Sequence, residues 1–314
     1  MFEKIIEKIE KYQRIIIHRH DKPDGDALGS QIGLKHLILE NYPEKEVYIV
    51  GDSAGRFAFM EDSTPDEIPD EYYNGALAII LDTSAPHLIA DKRYTLAEHT
   101  ARLDHHLFVE QIADTELTDS SYESCCGLIT ELAIEAGYKI NSLAAKSLYT
   151  GMVTDSGRFR YDSTTANTHK LAAKLLEAGF NTSEIYKNLY ADDFKFIRLR
   201  AEFTLKIRFT ASGTAYIYTT REELEATGQD SFSISRGMVG VMSEIRGVSV
   251  WVNFTETDEG VLAELRSNEY NVNPIAVKWG GGGHKKASGA LLHSREDAMA
   301  MLSDLDELYK SEAN

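Results

Sequence analysis

The stretch RIIIHRHDKPDGDALGS, residues 14–30, joins an apolar run to a dense cluster of ionisable side chains. The run at 14–18 shows no alternation of polar and apolar residues, which is typical of a strand buried on both faces of a parallel sheet. Two histidines and three aspartates follow within the nine positions 18–26. Because burying unpaired carboxylates is costly, the cluster is either a solvated turn or a site that holds a cation.

The rest of the first half alternates apolar runs with helical patterns, and this order predicts an α/β fold. A parallel sheet covered by helices on both faces is the architecture that buries such strands. The predicted elements are strands over 14–18, 46–51, 76–82 and 101–104, and helices over 27–40, 125–136, 142–154 and 166–178.

The second half changes character and predicts a smaller α/β domain with a mixed sheet. A polar helix from Asn181 to about Arg208 is interpreted as the connector between the two domains. We therefore expect a first domain over 1–190, a helical connector over 191–210 and a second domain over 211–314. The elements predicted in the second domain are strands over 214–220, 248–255 and 261–267, and helices over 274–279 and 295–311.

The net charge of −17 narrows the classes of partner. Proteins that bind long nucleic acids present many Lys and Arg side chains to phosphates, so the acidic charge disfavours a polyanionic substrate unless the site brings its own cations, and it is compatible with a short anionic substrate. The sequence contains no run of about 18 apolar residues, so no membrane span is expected. The adjacent Cys125 and Cys126 lack a CxxC zinc spacing, and they are interpreted as helix-packing residues of a protein in the reducing cytoplasm.

Clusters of Asp and His follow several of the predicted strands, and another ends a predicted helix. The carboxyl ends of parallel strands form the ligand crevice of open α/β sheets, so the clusters are expected to converge. Carboxylates with imidazoles suit first-row divalent metals, and paired metals about 3.5–4 Å apart serve attack on phosphorus. The clusters are His18–Asp26, Asp82, Asp104–His106 and Asp155.

Each cluster also has a structural interpretation when it is taken alone. The segment PDGD at 23–26 is typical of a turn, and Asp82 ahead of Thr-Ser could be a helix N-cap. The segment Asp104–His106 could lie in a surface loop. The occurrence of all clusters in one order favours a metal site instead.

The same clusters resemble the ordered motifs of the DHH phosphoesterase superfamily. The chain carries HDKPDGDALGS at 20–30, LDTS at 81–84, DHH at 104–106 and GMVTDSGRFRY at 151–161. The segment WGGGGHKKASG at 279–289 is similar to the GGGH signature of the DHH-associated domain. This resemblance covers about residues 14–290 and implies a parallel-sheet DHH domain followed by a DHH-associated substrate-binding domain.

The resemblance also implies a centre of two Mn²⁺ ions, with Mg²⁺ or Co²⁺ as substitutes. Each ion would be bound by carboxylates and one imidazole, and one carboxylate would bridge the pair. The implied ligands are His20, Asp24 and Asp82 for one ion, and Asp26, Asp82, His105 and Asp155 for the other.

Three further residues are candidates for catalysis. By the resemblance, Asp104 would orient the neighbouring histidines and His106 would contact the phosphate. Arg158 is expected to offset charge in the transition state. His18 and Asp21 are interpreted as bystanders, since His18 lies six residues before Asp24 where the motif places its histidine four residues before it.

The glycine-rich segment of the second domain predicts a phosphate-binding site. Glycines allow a ligand to approach the backbone closely, and their N–H groups can form an anion nest. Taken alone, these residues would be a flexible turn and a surface arginine, but the motifs of the first domain favour phosphate recognition. The predicted substrate-binding residues are Arg266, Ser267, Gly281, Gly282, Gly283 and His284.

Together these features predict a cytoplasmic phosphodiesterase that hydrolyses very short RNA and linear dinucleotides to nucleoside 5′-monophosphates. The chain resembles the compact NrnA-type oligoribonucleases of the superfamily, which implies a second activity on 3′-phosphoadenosine 5′-phosphate. One domain would grip a 5′-terminal phosphate while the other cuts at a fixed reach, which selects short 5′-phosphorylated substrates. A homodimer is expected, and neither long nucleic acid nor membrane is an expected partner.

Two alternatives stay open at this point. A cyclic-dinucleotide phosphodiesterase would use the same kind of metal site, whereas a pyrophosphatase is disfavoured by the GGGH segment. A nucleotide-binding sensor without catalysis is disfavoured because every cluster keeps its candidate metal ligands.

Overall fold

The computed structural model describes residues 1–311 and divides the chain into two compact units. The first unit spans Met1–Ala191, and the second begins at Asp192. The last three residues of the predicted second domain, 312–314, lie outside the described residues. Among the described residues, no helix has both the length and the apolar character needed to cross a bilayer.

The first unit is built on five parallel strands, and this sheet confirms the predicted α/β fold. The strands are β1 (Arg14–His18), β2 (Glu46–Ile49), β3 (Leu77–Leu81), β4 (His99–Asp104) and β5 (Thr115–Thr118). They lie in the order β2–β1–β3–β4–β5. The helices are α1 (Glu3–Lys11), α2 (Gly25–Asn41), α3 (Cys125–Glu135), α4 (Ser142–Asp155), α5 (Ala166–Leu176) and α6 (Thr182–Tyr190).

The degree of burial explains which strands could be predicted from the sequence. All five residues of β3 are buried, which gives the continuous apolar run expected of a strand covered on both faces. Strand β5 was not predicted, because its two threonines, one glutamate and one leucine are all half-buried at the sheet edge. The prediction that Cys125 and Cys126 pack inside the protein is confirmed, since both free thiols are buried.

Close packing of α2 against α4 fixes the end of the sheet at which the predicted ligands lie. A Cβ atom at Gly29 would lie 2.5 Å from the Ser147 carbonyl oxygen, and one at Gly25 would lie 2.4 Å from Thr154 Oγ1. Only glycine allows this approach. The first turn of α2, with its carboxylate, therefore lies beside Asp155 at the end of α4.

The second unit has its own hydrophobic core and a mixed six-stranded sheet. The strands are β6 (Arg208–Phe209), β7 (Ala215–Thr219), β8 (Val250–Glu256), β9 (Val261–Ser267), β10 (Gly282–His284) and β11 (Ala287–Leu292). Their order is β10–β11–β9–β8–β7–β6, and β7 and β8 are parallel whereas the other neighbours are antiparallel. The helices are α7 (Phe194–Leu205), α8 (Arg221–Thr227), α9 (Ser231–Val239), α10 (Asn273–Lys278) and α11 (Arg295–Ser311).

The prediction of a single connector helix from Asn181 to about Arg208 is wrong. The chain forms α6 and α7 there, with an interruption at residues 191–193. Asp193 caps α7, because its side chain accepts a hydrogen bond from the Lys195 N–H over 2.8 Å. Aspartate favours this N-cap position over the helix interior, so the acidic pair at 192–193 starts a new helix.

Candidate metal centre

The predicted clusters meet at the carboxyl end of the parallel sheet. Strands β1, β3 and β4 end there, and the chain segments that follow them carry most of the predicted ligands. Helix α2 begins and helix α4 ends at the same edge. A cavity of about 220 Å³ at this edge is lined by His20, Asp24, Asp82, Ser84, Leu88, His105, His106 and Asp155.

Asp82 stands between two imidazoles. Its Oδ2 atom lies 3.5 Å from His20 Nε2, and its Oδ1 atom lies 3.4 Å from His105 Nε2. The donor atoms of the site form three close groups, which are His20–Asp24–Asp82, Asp82–His105–His106 and Asp26–His105–Asp155. The other distances are 3.9 Å from His20 Nε2 to Asp24 Oδ1, 3.5 Å from His105 Nε2 to Asp155 Oδ2, and 3.7 Å from His105 Nε2 to Asp26 Oδ2.

This donor set fits divalent metal ions. Asp82 Oδ1 is buried and has no hydrogen-bond partner among the described residues, although buried acceptors are normally satisfied. Asp26 is also buried, and neither Lys nor Arg lines the cavity within the described part of the chain. A divalent cation would satisfy the orphaned oxygen and offset the concentrated negative charge, and carboxylates with imidazoles are suitable ligands for such an ion.

The crowded carboxylates shift the protonation of the two imidazoles. Burial alone lowers the pKa of His20, but the neighbouring Asp82 outweighs this effect and raises the pKa to about 9. Burial likewise lowers the pKa of His105, whereas Asp82 and Asp26 raise it to about 10. In the metal-free protein both imidazoles are therefore cationic at neutral pH, with a proton on each ring nitrogen.

Three carboxyl groups of the centre have shifted pKa values, and the shifts differ in direction. Burial raises the pKa of Asp155 to about 7, against the opposing effect of His105. Burial and the charge of Asp82 raise the pKa of Asp26 well above its ordinary range. Burial would also raise the pKa of Asp82, but His105 and His20 lower it below its ordinary value. Of these three carboxyl groups, Asp82 therefore loses its proton most readily.

Helix termini hold two of the predicted ligands in place. Asp24 caps α2, because its Oδ1 atom accepts hydrogen bonds from the N–H groups of Asp26 and Ala27 over 2.9 and 3.0 Å. The Asp26 carboxylate accepts from the N–H groups of Cys125 and Cys126 at the start of α3, over 2.7 and 2.9 Å. A carboxylate has further lone pairs, so both side chains are held by backbone and can still bind a metal.

Asp104 is fully buried between an arginine and a histidine. Its Oδ1 atom accepts a hydrogen bond from His106 Nδ1 over 2.7 Å, and its Oδ2 atom accepts one from the buried Arg102 over 2.6 Å. His105 does not share this contact, since its Nδ1 atom faces the Tyr122 carbonyl at 3.4 Å. Asp104 therefore lies where it orients His106 alone, and contact between His106 and a phosphate stays a prediction.

Arg158 lies outside the lining of the cavity. It follows Asp155 in a left-handed turn, with φ values of 65° at Arg158 and 61° at Phe159. Its guanidinium lies 4.8 Å from the centre of the Tyr190 ring. A catalytic role for Arg158 stays a prediction.

His18 and Asp21 take no part in the groups of donor atoms. His18 is fully buried, with Nδ1 at 3.1 Å from the Asp91 carbonyl and Nε2 at 3.3 Å from the Tyr73 hydroxyl. Burial lowers the pKa of His18 to about 4, so the ring is neutral at physiological pH. Asp21 is exposed. Both positions fit the interpretation of bystanders.

Sequence reasoning missed Arg19 as a positioning residue. The side chain is fully buried, and its Nη1 atom donates to the His20 carbonyl over 3.0 Å and to Asp52 Oδ1 over 2.6 Å. Asp52 Oδ2 in turn accepts a hydrogen bond from the Lys22 N–H over 2.8 Å. The guanidinium thus fixes the turn that carries His20. The available signal was a charged residue directly after a buried strand, where a fixed partner is required.

The glycine segment of the second unit forms a hairpin, and an anion nest within it stays a prediction. Strand β10 pairs with β11, and the Gly281 N–H donates to the Ala276 carbonyl over 2.8 Å. A Cβ atom at Gly281 would lie 2.0 Å from the Gly289 carbonyl oxygen, so this glycine is needed for packing. A Cβ atom at Gly282 would meet nothing within 4 Å. Gly282 shares this open space with Gly280, whose φ of 79° is left-handed, whereas a Cβ atom at Gly283 would lie 2.7 Å from the Ala287 carbonyl oxygen.

The remaining predicted substrate-binding residues differ in what their side chains already contact. The Ser267 hydroxyl donates to the Ser249 carbonyl over 2.8 Å and accepts from two backbone N–H groups of the following turn. It is committed to the end of β9. Arg266 Nη2 lies 3.1 Å from Glu264 Oε2, and His284 is exposed on β10. Substrate contact by Arg266 and His284 stays a prediction.

Both halves of the chain match models of known protein families. Residues 14–152 match the DHH family, N-terminal domain, and residues 226–311 match the DHHA1 domain. The chain is 35% identical to the bifunctional oligoribonuclease and PAP phosphatase NrnA of Bacillus subtilis, over 99% of each chain. It is 33% identical to the probable bifunctional oligoribonuclease and PAP phosphatase NrnA of Streptococcus mutans, over 98% of this chain and 99% of that protein.

A solved structure shares the fold. The exopolyphosphatase-related protein from Bacteroides fragilis matches with a TM-score of 0.86 and 25% sequence identity, over 99% of this chain and 96% of that chain. The full-length identity to the Bacillus subtilis protein and the matches to both domains agree with the donor set at the sheet edge. The chain therefore belongs to the DHH family and is a metal-dependent phosphoesterase.

Proposed function

We propose that this phosphoesterase hydrolyses very short 5′-phosphorylated RNA and linear dinucleotides to nucleoside 5′-monophosphates. We propose also that it removes the 3′-phosphate of 3′-phosphoadenosine 5′-phosphate. The observation that carries the proposal is the position of Asp82 between two sets of metal-binding groups, since paired metals suit hydrolysis of phosphate esters. The two NrnA relatives, whose names state both activities, support the substrate class.

The donor set supports a pair of Mn²⁺ ions, with Mg²⁺ or Co²⁺ as substitutes, because carboxylates and imidazoles occur together. When bound, the ions would supply Lewis acidity that lowers the pKa of water and offsets charge on the phosphoryl oxygens. The side chains assigned to one ion are His20, Asp24 and Asp82, and those assigned to the other are Asp26, Asp82, His105 and Asp155.

His106 is assigned to the substrate phosphate. The hydrogen bond between its Nδ1 atom and Asp104 fixes the ring and leaves Nε2 free to donate to a phosphoryl oxygen. The same hydrogen bond raises the pKa of His106, which favours the cationic form. Arg102 holds Asp104 from the opposite side. The ring is thereby oriented before substrate arrives, which reduces the cost of reorganisation during the reaction.

In the second unit, a terminal phosphate of the substrate is assigned to Gly282, His284 and Arg266. Gly282 has open space where a side chain would be, and His284 is exposed beside it. Arg266 already contacts a carboxylate at Glu264, and a guanidinium pairs bidentately with phosphate as well as with carboxylate. Ser267 is left out of the assignment because its hydroxyl is committed to the backbone.

Charge and compartment complete the proposal. A net charge of −17 opposes the binding of long polyanions, since affinity for long nucleic acid depends on many cationic contacts. Two free, buried thiols fit a reducing compartment, and we therefore assign the activity to the cytoplasm. A homodimer remains our expectation, and sedimentation of the purified protein tests it.

A length series tests the proposed function. Purified protein with Mn²⁺ receives a 5′-phosphorylated dinucleotide, trinucleotide and long oligonucleotide of related sequence, each with the metal omitted and restored. We expect metal-dependent release of nucleoside 5′-monophosphates that is fastest on the shortest substrates. Equal rates per end on the dinucleotide and the long oligonucleotide would contradict the proposal. Preferred hydrolysis of a cyclic dinucleotide, assayed beside them, would contradict it as well.

A further inference from the structure

Three apolar side chains are exposed in a row beside the candidate metal centre. Leu107, Phe108 and Val109 are 77%, 60% and 64% exposed, and they directly follow His106. Exposed apolar residues are ordinary when they are scattered, but three consecutive ones form a patch. The patch directly follows His106, which lines a cavity whose walls are mainly carboxylate and imidazole.

One buried guanidinium anchors both ends of this apolar segment. On the near side, Arg102 Nη2 donates to Asp104 Oδ2, and Asp104 holds His106. On the far side, Arg102 Nη1 donates to the Glu110 carbonyl over 3.1 Å. Arg102 is fully buried. The segment between these anchors is therefore presented at a fixed place relative to the His106 ring.

The chain beyond the segment is fastened in the same way. Glu116 Oε1 accepts hydrogen bonds from the N–H groups of Ile112 and Ala113 over 2.5 and 2.8 Å. The strong polar anchoring contrasts with the lack of packing around the three apolar side chains. An anchored loop with an unpacked aromatic tip is suited to contact a ligand with a flat apolar face.

We propose that Phe108 is a specificity-determining residue that stacks on the base of the nucleotide whose phosphate contacts His106. This inference rests on the proposed function and deepens it by naming a contact for the base. Consecutive Cα atoms are about 3.8 Å apart, so Phe108 is within reach of a base joined by its ribose to a phosphate at His106. Stacking on an aromatic ring is tolerant of base identity, because every base has a π face.

The inference explains how an acidic site could favour nucleotides over other phosphate esters. The chain has a net charge of −17, so the cavity gains little from general attraction of anions. A stacked base adds binding energy that does not depend on charge, and each such contact is worth roughly a five- to 150-fold change in binding. Phosphate esters without a flat ring would lack this contact.

The test compares a 5′-phosphorylated dinucleotide with two abasic counterparts. One counterpart lacks the base of the first nucleotide, and the other lacks the base of the second. In the wild-type protein, loss of the stacked base lowers kcat/KM by at least about five-fold. In Phe108→Ala, kcat/KM for the intact dinucleotide falls by a similar factor, while the value for that abasic counterpart is unchanged. Phe108→Trp keeps the wild-type preference, and Phe108→Leu does not.

Controls separate this inference from its rivals. Val109→Ala removes apolar surface from the same loop and is expected to keep the wild-type kcat/KM. An equal loss on intact and abasic substrates in Phe108→Ala would overturn the inference, and so would full rescue by Phe108→Leu. A Phe108→Ala protein that dissociates from a dimer into monomers would overturn it too, since a second copy would then cover the patch. If the wild-type protein cleaves none of the dinucleotides, the proposed function fails instead.

Discussion

Asp82 Oδ1 lies 3.4 Å from His105 Nε2, is buried, and has no hydrogen-bond partner among the described residues. The other oxygen of the same carboxylate lies 3.5 Å from His20 Nε2. A single side chain thus joins the end of β1 to the loop that follows β4. Its backbone has a φ value of 50°, a conformation that costs a non-glycine residue energy and recurs at functional sites.

The affinity of the site for Mn²⁺ should rise with pH. The pKa values of about 9 for His20 and about 10 for His105 mean that both imidazoles bind protons in the metal-free protein at neutral pH. Metal ligands must lose those protons, so binding at pH 7 should release roughly two protons or more, and affinity should increase up to about pH 10, the pKa of His105. Calorimetry in buffers of different ionisation enthalpy measures this release, and metal binding without proton release would contradict the assignment.

Removal of Arg102 should destabilise the protein and impair His106. Arg102→Met leaves the buried Asp104 without its cation, and breaking such a pair costs ~3–5 kcal/mol of unfolding free energy. Arg198→Met is the matched control, because Arg198 pairs with Glu202 where both side chains are exposed and exposed pairs contribute at most about 1 kcal/mol. Urea denaturation compares the two variants, and equal losses of stability would contradict the role given to Arg102.

Two neighbouring glycines should respond differently to alanine. Gly281→Ala places a methyl group against the Gly289 carbonyl, and such overpacking costs ~1–3 kcal/mol. Gly282→Ala has open space, so its stability should stay within about 0.5 kcal/mol of the wild type. Because Gly282 is assigned to the substrate phosphate, that variant should raise KM for a 5′-phosphorylated dinucleotide and leave kcat nearly unchanged. An unaltered KM would remove Gly282 from the site.

Substitution of His106 should separate substrate contact from metal binding. His106→Gln is expected to bind as many Mn²⁺ ions as the wild type and to lose about 100- to 1,000-fold in kcat, the effect typical of removing one oriented donor. The alternative role is that of a ligand, since His106 Nδ1 lies 3.6 Å from Asp82 Oδ1. A reduced number of bound ions, measured by electron paramagnetic resonance of free Mn²⁺, would show that His106 is a ligand.

Much of the first unit is predictable because its strands are buried on both faces. The runs around Ile15–Ile17 and Leu77–Leu81 are wholly buried, and burial of this kind leaves a continuous apolar signal. Edge elements leave a weaker one. Strand β5 is half-buried, and β10 consists of two glycines and a histidine whose pairing depends on a partner later in the chain.

The candidate ligands of the site were predictable because their residue types, Asp and His, are typical metal ligands. Carboxylates and imidazoles at strand ends revealed the candidate ligands, since so many carboxylates in one place would be costly to bury without a cation. Contacts of single side chains were not predictable. Neither the placement of Arg158 over Tyr190 nor the commitment of the Ser267 hydroxyl leaves a local signal, and the anchoring by Arg102 depends on residues that approach only in the folded chain.

The most direct test of the central claim is the number of Mn²⁺ ions bound per chain by the wild type and by Asp82→Asn. If Asp82 joins two metal ions, the wild type binds a pair, whereas Asp82→Asn fails to hold the pair and loses more than about 100-fold in turnover. Asp21→Asn is the matched control, because Asp21 is exposed and belongs to none of the three donor groups, and it should behave as the wild type. A wild-type protein that turns over with one ion, or an Asp82→Asn protein that still binds two, would contradict the account.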